Sequence, residues 1–276
     1  LLWRFTAGRS HTTDATNAAR TMLFDIHNQC WSDALCTLFN VPPAVLPDVH
    51  DCTADFGVMD ADILGFALPI CGIAGDQHAA LVGQGCVQPG LAKATYGTGC
   101  FVLANEGTTP PPTDNALLTT LAYRVDGETT YATEGSAFNA GTAVAWLRDT
   151  LGIVHSSAET ETLARSLPDN GGVYFVPAFT GLGAPYWEPA ARAALTGMTR
   201  DTGPAHLARA ALEAAAYQTN DLLAASGQPP TTLRIDGGMA RNDWFAQFLA
   251  DLLGIAVARP AVTETTAWGA AVLAGL

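Results

Sequence analysis

The spacing of hydrophobic and polar positions changes near Leu64. Residues 1 to about 60 show mostly helical spacing, and either Asp14 or Thr13 can cap a helix over residues 15–26. The apolar run "FALPICGIAGD", which ends at residue 76, is typical of a buried strand that feeds a tight turn at Gly75. The next segment, "HAALVGQG", predicts a short helix.

Two pairs of extended segments follow. The segments "LAKATY" and "CFVLAN" are joined by Gly97, Thr98 and Gly99, and this spacing indicates a β-hairpin. The segments "ALLTTLAYRV" and "TTYATEGS" form a second pair around the turn "DGE". The sequence therefore predicts that "YGTGC" lies at the tip of the first hairpin.

The second half of the chain alternates between helical and extended patterns. A helix is predicted over residues 142–151 and the longest helix over residues 207–225, with short strands in 171–179 and 192–198 between them. The end of the chain repeats a strand and a helix twice, over 232–238, 243–253, 254–260 and 264–275. Strands that alternate with helices of this length predict an α/β sheet with helices on its faces.

Composition and charge narrow the possible functions. The chain has 276 residues, of which 49% are hydrophobic and 14% charged, and this composition predicts a folded core. The net charge of −13 without a basic run argues against nucleic acid or an anionic membrane as the main partner. No apolar stretch approaches the ~20 residues that span a bilayer. We therefore expect a soluble protein in the cytoplasm.

The cysteines predict neither a zinc site nor a disulfide framework. None of them is paired at the two-residue separation that zinc sites favour, so we expect reduced thiols. Cys100, beside the hairpin tip, is either a nucleophile or a buried packing residue, and packing is the preferred reading because no histidine lies nearby in sequence.

Glycines cluster where strands are predicted to end. The clusters are Gly75, Gly97 with Gly99, Gly141, Gly181 with Gly183, and Gly237 with Gly238. Glycines at such positions let backbone amides approach a phosphate, so five clusters together favour a nucleotide, although each alone could merely turn the chain. Neither the P-loop pattern nor the dinucleotide-binding pattern is present.

Five segments carry a resemblance to a known family. They are "GIAGDQHAALVGQG", "AKATYGTGCFVLANEG", "AGTAVAWLRD", "VYFVPAFTGLGAPYWEPAARAALTGMTR" and "LRIDGGMARNDW". They resemble the FGGY family of carbohydrate kinases and, within it, the glycerol kinase branch. The resemblance implies an actin-like (ribonuclease H-like) α/β ATPase fold with a mixed sheet flanked by helices. It also implies two domains, with the C-terminal portion of the first over residues 1–85 and the second over residues 86–276.

The resemblance implies that the protein phosphorylates glycerol to glycerol 3-phosphate with ATP and Mg²⁺. Asp76 would be the general base that accepts a proton from the substrate hydroxyl, and Gln77 would bind a second hydroxyl. Phe101 would pack on the carbon face of the polyol. No ligand for Mg²⁺ can be named. The resemblance also predicts a homo-oligomer.

The nucleotide would lie at the hairpin tip. Thr98, with the amides of Gly97 and Gly99, would meet the phosphates of ATP. The other residues that the resemblance assigns to the nucleotide pocket are Gly141, Gly238 and Asn242.

Each of these residues also has a structural interpretation. Asp76 could be a helix N-cap, Phe101 a core residue of its strand, and Asn242 the cap of the following helix. Three further polar residues are expected to have structural roles: Asp236 in stabilising a turn, Lys93 as a solvated strand residue, and His78 as a hydrogen-bonded histidine either at the surface or in packing.

The family landmarks that are missing from the sequence suggest a fragment. The N-terminal phosphate loop, the magnesium-positioning acid and part of the glycerol pocket would lie before Leu1, and the extreme C-terminus would follow Leu276. The chain on its own is therefore expected to be inactive. Other possibilities are a different FGGY polyol or sugar kinase, a non-catalytic nucleotide-binding module, and a structural actin-like relative.

Overall fold

The computed structural model describes residues 1–112, 116–227 and 229–276. The strands are β1 (Thr12–Asp14), β2 (Phe24–Asp25), β3 (Cys30–Trp31), β4 (Asp48–His50), β5 (Val58–Met59), β6 (Leu68–Pro69), β7 (Leu91–Tyr96), β8 (Cys100–Gly107), β9 (Leu118–Val125), β10 (Glu128–Ala137), β11 (Tyr174–Val176), β12 (Ala194–Thr196), β13 (Thr232–Gly237) and β14 (Ala256–Ala258). The α-helices are α1 (Leu2–Phe5), α2 (Ala15–Ala19), α3 (Asp33–Leu38), α4 (Ala61–Leu64), α5 (Asp76–Gly83), α6 (Gly141–Ala145), α7 (Glu159–Arg165), α8 (Pro204–Ala225), α9 (Asp243–Leu253) and α10 (Thr265–Gly275).

A six-stranded mixed sheet forms the centre of the structure. Its strand order is β14-β13-β7-β8-β10-β9. Strand β13 is parallel to both β14 and β7, whereas β7, β8, β10 and β9 pair antiparallel. The predicted hairpins are therefore confirmed, and the first one closes on the pair Tyr96 and Cys100.

One face of the sheet is covered by α8. This helix has 22 residues, and its buried side is rich in alanine, which lets it approach the sheet closely. The hydroxyl groups of Tyr96 and Thr219 lie 2.8 Å apart, and the ring of Phe245 meets Tyr96 edge to face with 4.9 Å between centroids. Neither α8 nor any other helix in the described ranges is long and apolar enough to cross a membrane.

The opposite face of the sheet is covered by α5, which packs closely against α10. Leu81 of α5 belongs to a buried cluster with Leu103 of β8. The two helices touch through glycines: a Cβ atom added at Gly269 would lie 1.7 Å from the carbonyl oxygen of Ala79, and one at Gly83 would lie 2.0 Å from that of Thr265. The backbones of α5 and α10 are therefore in direct contact, and helices lie on both faces as predicted.

The first 60 residues are not mostly helical, so that prediction is wrong. They contain short helices and short strands, of which β1 and β4 pair in parallel. Asp14 caps α2 as expected, but the helix ends at Ala19 instead of continuing to residue 26. Ala15, Ala18 and Phe24 pack with Leu121 and Tyr131 of the central sheet, and this tertiary contact replaces the helical continuation that local spacing suggests.

The predicted buried strand over residues 66–76 is also wrong. Only Leu68–Pro69 is a strand, and Phe66 and Leu68 are exposed. Strand β6 pairs with β5 and with no other strand of the described residues, and Pro69 has no N–H group for a further ladder. An uninterrupted apolar run cannot by itself show which neighbours will cover it.

Most predicted elements after residue 76 are confirmed. The helices α5, α8, α9 and α10 lie where the sequence predicts them. The helix predicted over 142–151 consists of α6 followed by a π-helical turn over Trp146–Thr150. Strands β11 and β12 are shorter than the apolar segments that predict them, because only three residues of each form the antiparallel pair.

Candidate active site

Asp76 is exposed at the start of α5. Gly75 is the N-cap, so the interpretation of Asp76 as the cap is wrong. The Asp76 carboxylate accepts a hydrogen bond of 2.8 Å from the backbone N–H of Gln77. Hydrogen bonds of the preceding residue also hold the start of the helix in place. The N–H of Gly75 donates to the hydroxyl of Thr16 at 2.9 Å, and the N–H of Thr16 donates to the buried carboxylate of Asp14.

Lys93 is fully buried beneath Gln77, so the expectation of a solvated strand residue is wrong. Its Nζ atom donates to Oε1 of Gln77 and, at 2.9 Å, to the hydroxyl of Thr95. Burial lowers the pKa of Lys93 to about 8, and the nearby carboxylate of Asp236 opposes that shift. Lys93 is also the single lysine of the chain.

Phe101 lies on the same face of the sheet as Lys93 and Thr95. It pairs with Thr95 of β7 and with Ser136 of β10. The ring is partly exposed and belongs to none of the core clusters found among the described residues. Phe101 is therefore available to a ligand beside Gln77.

The pair formed by Arg20 and Glu134 borders the same face. The guanidinium of Arg20 donates to both carboxylate oxygens of Glu134, with 3.0 Å between Nη2 and Oε1. Glu134 is opposite Leu103, which is opposite Lys93, so these three residues form one row across the sheet. Sequence reasoning missed this pair because its members are far apart along the chain.

The hairpin tip is held against the start of α6. The carbonyl oxygen of Thr98 accepts from the N–H groups of Ala140 at 2.9 Å and Thr142 at 3.1 Å. Gly141 allows this contact, because a Cβ atom there would lie 2.4 Å from the carbonyl oxygen of Gly97. The N–H of Gly97 already donates to Gly99 at 2.9 Å, so only a rearranged tip could offer that amide to a ligand.

A cavity of about 410 Å³ opens beside the tip. Four residues predicted to bind a nucleotide line it: Gly97, Gly141, Gly238 and Asn242. Thr98 is exposed at the crest and Gly99 is buried below it, and neither lines this cavity. Asn242 also caps α9, accepting from the N–H of Phe245 at 2.9 Å, so the capping prediction is confirmed.

A second cavity of about 240 Å³ continues from the first, since Gly238 and Arg241 line both. Thr95 and Thr266 line this smaller cavity. The hydroxyl of Thr266 donates to the carbonyl oxygen of Asp76 at 3.4 Å. The two cavities therefore lead from the hairpin tip towards the start of α5.

Asp236 is buried in the wall of the smaller cavity, which sequence reasoning did not anticipate. Its Oδ2 atom accepts from Nε2 of Gln84 at 2.9 Å and from the hydroxyl of Thr265. Its Oδ1 atom is buried without a hydrogen-bond partner among the described residues. The available signal was an acid directly after Ile235 at the end of a predicted strand, because an acidic side chain is rarely buried without a partner.

His78 is buried one turn into α5. The imidazole is therefore a packing residue, which is one of the two expected roles, but the expected hydrogen bonds are missing, because neither ring nitrogen has a partner among the described residues. Burial lowers the pKa of His78 to about 3, and the charges of Arg20 and Lys93 act in the same direction against the opposing effect of Asp76. The imidazole is therefore neutral in the folded protein at neutral pH.

We expect the free energy of unfolding to fall by about 2 kcal/mol between pH 7 and pH 5 because of His78. The unfolded chain binds a proton as the pH drops through about 6.5, whereas folded His78, with its pKa lowered to about 3, does not. Urea denaturation at several pH values checks this. His78→Leu should flatten the dependence and the exposed control His155→Gln should retain it; equal pH dependence in all three proteins would contradict the prediction.

Cys100 is a packing residue, as preferred from the sequence. It is fully buried, and burial raises the pKa of its thiol to about 11. All six cysteines are free. No two of them are joined in a disulfide, and a nucleophilic thiolate at Cys100 is disfavoured.

These residues form a site with two chemically different ends. One end has a carboxylate, an amide and an aromatic ring, which suit a small molecule with several hydroxyl groups. The other end is a cavity bordered by the backbone of Gly97 at the hairpin tip, Gly141 at the start of α6 and Gly238 after β13, which suits a phosphorylated ligand.

Comparison with known proteins agrees with this geometry. Models of the FGGY family of carbohydrate kinases match the chain, the N-terminal domain over residues 1–83 and the C-terminal domain over residues 92–276. Glycerol kinases of Rhodospirillum centenum and Alteromonas mediterranea are 62% identical over 278 residues and 58% identical over 279 residues. Each alignment takes in 100% of this chain and 56% of the relative, so the chain spans a little over half the length of these relatives.

Solved structures show the same fold. A Plasmodium falciparum glycerol kinase with ADP has a TM-score of 0.90 at 37% identity, over 99% of this chain and 56% of that one. A gluconate kinase from Lactobacillus acidophilus has a TM-score of 0.84 at 22% identity, over 99% of this chain and 56% of that one, which shows the fold alone. The predicted actin-like ATPase fold is confirmed. With both family domains matched and the site residues gathered at one end of the sheet, the chain belongs to the FGGY family of carbohydrate kinases.

Proposed function

We propose that the full-length protein transfers the γ-phosphoryl group of ATP to glycerol and forms glycerol 3-phosphate. The observation that carries the proposal is the position of Asp76. Its carboxylate is exposed at the start of α5, where two connected cavities lead from the glycine-rich hairpin tip. The relatives that are 58% and 62% identical to the chain are glycerol kinases.

In the proposed mechanism, Asp76 takes the proton of the attacking hydroxyl while Gln77 holds a second hydroxyl. General-base assistance of this kind contributes about 10² to 10⁴ in rate. Phe101 covers the carbon side of the alcohol. Because phosphoryl transfer depends mainly on positioning and electrostatics, the chain's principal contribution is to hold the alcohol in line with the phosphoryl group.

For the nucleotide, we propose that the cavity of about 410 Å³ receives the adenosine and that the hairpin tip meets the phosphates. Gly238 supports this because a Cβ atom there would meet no atom within 4 Å, so its surface faces open space. Thr98 supports it because its hydroxyl has no hydrogen-bond partner among the described residues, although its carbonyl is fixed by α6.

The proposed reaction also uses Mg²⁺. The described residues contain no cluster of three or more His, Cys, Asp or Glu side chains that could hold a metal alone. Mg²⁺ typically keeps several waters and takes one or two carboxylates with the substrate phosphates, and the Oδ1 atom of Asp236, which has no hydrogen-bond partner among the described residues, would fit as one such donor. Bound Mg²⁺ would supply positive charge that offsets the charge of the phosphoryl group.

We further propose the domain division suggested by the sequence, with residues 1–85 in the first FGGY domain and residues 86–276 in the second. The full-length protein would then bring the remaining half of the site to the exposed face of Asp76. A cytoplasmic location and a homo-oligomeric state are part of the same proposal.

A panel of polyols tests the proposed function. The full-length protein should convert glycerol with ATP at a kcat/KM above that for erythritol, xylulose and gluconate, measured by coupled detection of ADP. A higher kcat/KM for one of the other three would identify a different FGGY kinase. ATP binding by calorimetry without turnover of any of the four would favour a non-catalytic nucleotide-binding module.

A further inference from the structure

We propose that Lys93 is a positioning residue of the reaction, which holds the Oε1 atom of Gln77 and thereby turns the Nε2 group of Gln77 towards the substrate alcohol and Asp76. The inference rests on the proposed function and adds a residue to it. Lys93 would not touch the substrate, because it lies completely buried beneath Gln77.

The contacts of Lys93 decide the orientation of the Gln77 amide. An ammonium group has three donors and no acceptor, so the amide atom that it meets must be the carbonyl oxygen. The Nε2 group then points the other way and donates to Oδ2 of Asp76 at 3.4 Å. Gln77 therefore offers N–H donors to a substrate oxygen, and one of these donors also touches the proposed base.

The burial of Lys93 argues against an accidental contact. A buried ammonium is costly unless polar groups compensate it, and here its direct partners are the neutral groups of Gln77 and Thr95. None of the ion pairs found among the described residues includes Lys93. The nearby Glu134 is paired with Arg20, while Asp236 is held by Gln84 and Thr265.

Lys93 also joins the two ends of the site. Its second partner, Thr95, lines the smaller cavity with Asp236 and Gly238, on the side of the proposed phosphates. One buried ammonium thus fixes a side chain at the alcohol end and a hydroxyl at the phosphate end. The carboxylates of Asp236 and Asp76 both raise the pKa of Lys93 against the effect of burial.

A double-mutant cycle on the full-length protein tests the inference. Lys93→Met should lower kcat/KM for glycerol by about 10- to 100-fold, the effect of one charge-assisted hydrogen bond, with the KM for ATP within about twofold. Gln77→Ala should lower kcat/KM for glycerol by a similar factor. The double variant should be no worse than Gln77→Ala alone, because Lys93 acts through Gln77.

Three outcomes would overturn the inference. The first is a wild-type kcat/KM in Lys93→Met. The second is a kcat/KM in the double variant that falls by the product of the two single losses. The third is a Lys93→Met protein with a lowered Tm whose kcat/KM falls equally for glycerol and for ATP. The last two results identify a structural role. Turnover of glycerol by the wild-type protein tests the proposed function independently of this inference. The double-mutant cycle uses the polyol that the wild-type protein phosphorylates.

Gln77→Glu provides a test that does not depend on the folding of a Lys93 variant. Glutamate keeps the contact with the ammonium but replaces the outward N–H donors with an acceptor. We expect kcat/KM for the polyol to fall at least as far as in Gln77→Ala. Wild-type kcat/KM in Gln77→Glu would show that the substrate meets an acceptor at this position, and the inferred orientation would be wrong.

Discussion

Replacement of Asp76 by asparagine should lower kcat for the proposed phosphorylation of a polyol by about 10²- to 10⁴-fold, while the affinity for ATP should change little. Asparagine keeps the size of the side chain and can still accept from the N–H of Gln77, which is 2.8 Å from the carboxylate in the wild type. It cannot take a proton from an alcohol. The loss should therefore appear in the chemical step, measured by steady-state turnover at saturating ATP and polyol, with ATP binding followed by calorimetry.

Asp33→Asn is the matched control for this experiment. Asp33 is also an exposed acid at the first position of a short helix, but it lies outside the residues that line the two cavities. Both substitutions remove a negative charge from a helix N-terminus, so a difference in turnover between the two variants would come from a specific chemical role of Asp76. Near-normal turnover of Asp76→Asn, or equal losses in the two variants, would remove Asp76 from the base role.

Substitution of Gly269 by alanine should destabilise the protein by about 3 kcal/mol, although alanine is the better helix former. The added Cβ atom would lie 1.7 Å from the carbonyl oxygen of Ala79 and 2.8 Å from the backbone nitrogen of Gly83. Both atoms belong to the backbone of α5, so no side-chain rotation can relieve the overlap. The helices α5 and α10 must separate, and the packing between them is lost.

Gly275→Ala is the control in the same helix. A Cβ atom at Gly275 would meet no atom within 4 Å, so this substitution should leave stability unchanged or raise it by up to about 1 kcal/mol. Urea denaturation of the full-length variants measures both effects. If Gly269→Ala came within about 0.5 kcal/mol of the wild type, α5 and α10 would not form the close contact described above.

Local patterns predicted the elements whose partners are close in sequence. The hairpin around Thr98 and the helix Asp243–Leu253 follow from turn residues and from the spacing of apolar positions. The residues of the first 60 positions were predicted less well. Their apolar side chains pack against Leu121 and Tyr131, and no local pattern reveals a partner so distant in sequence.

The residues of the site also differ in whether the sequence could predict them. Gly97, Gly141, Gly238 and Asn242 were assigned from a family resemblance, and they line one cavity. The burial of Lys93 could not be predicted, because it depends on how α5 covers strand β7. Its charge made a solvated position the natural expectation, and only the tertiary structure shows that Gln77 and Thr95 enclose the ammonium.

The glycine contact between α5 and α10 also governs when the site can form during protein synthesis. Helix α5 carries Asp76 and Gln77 at its start, but the helix that seats it is made only after strands β7–β14 and helices α6–α9 have been translated. At ribosomal rates of about 5–20 residues per second, that interval is on the order of ten seconds or more. A nascent chain that ends before α10 therefore lacks the helix whose glycine backbone packs directly on α5.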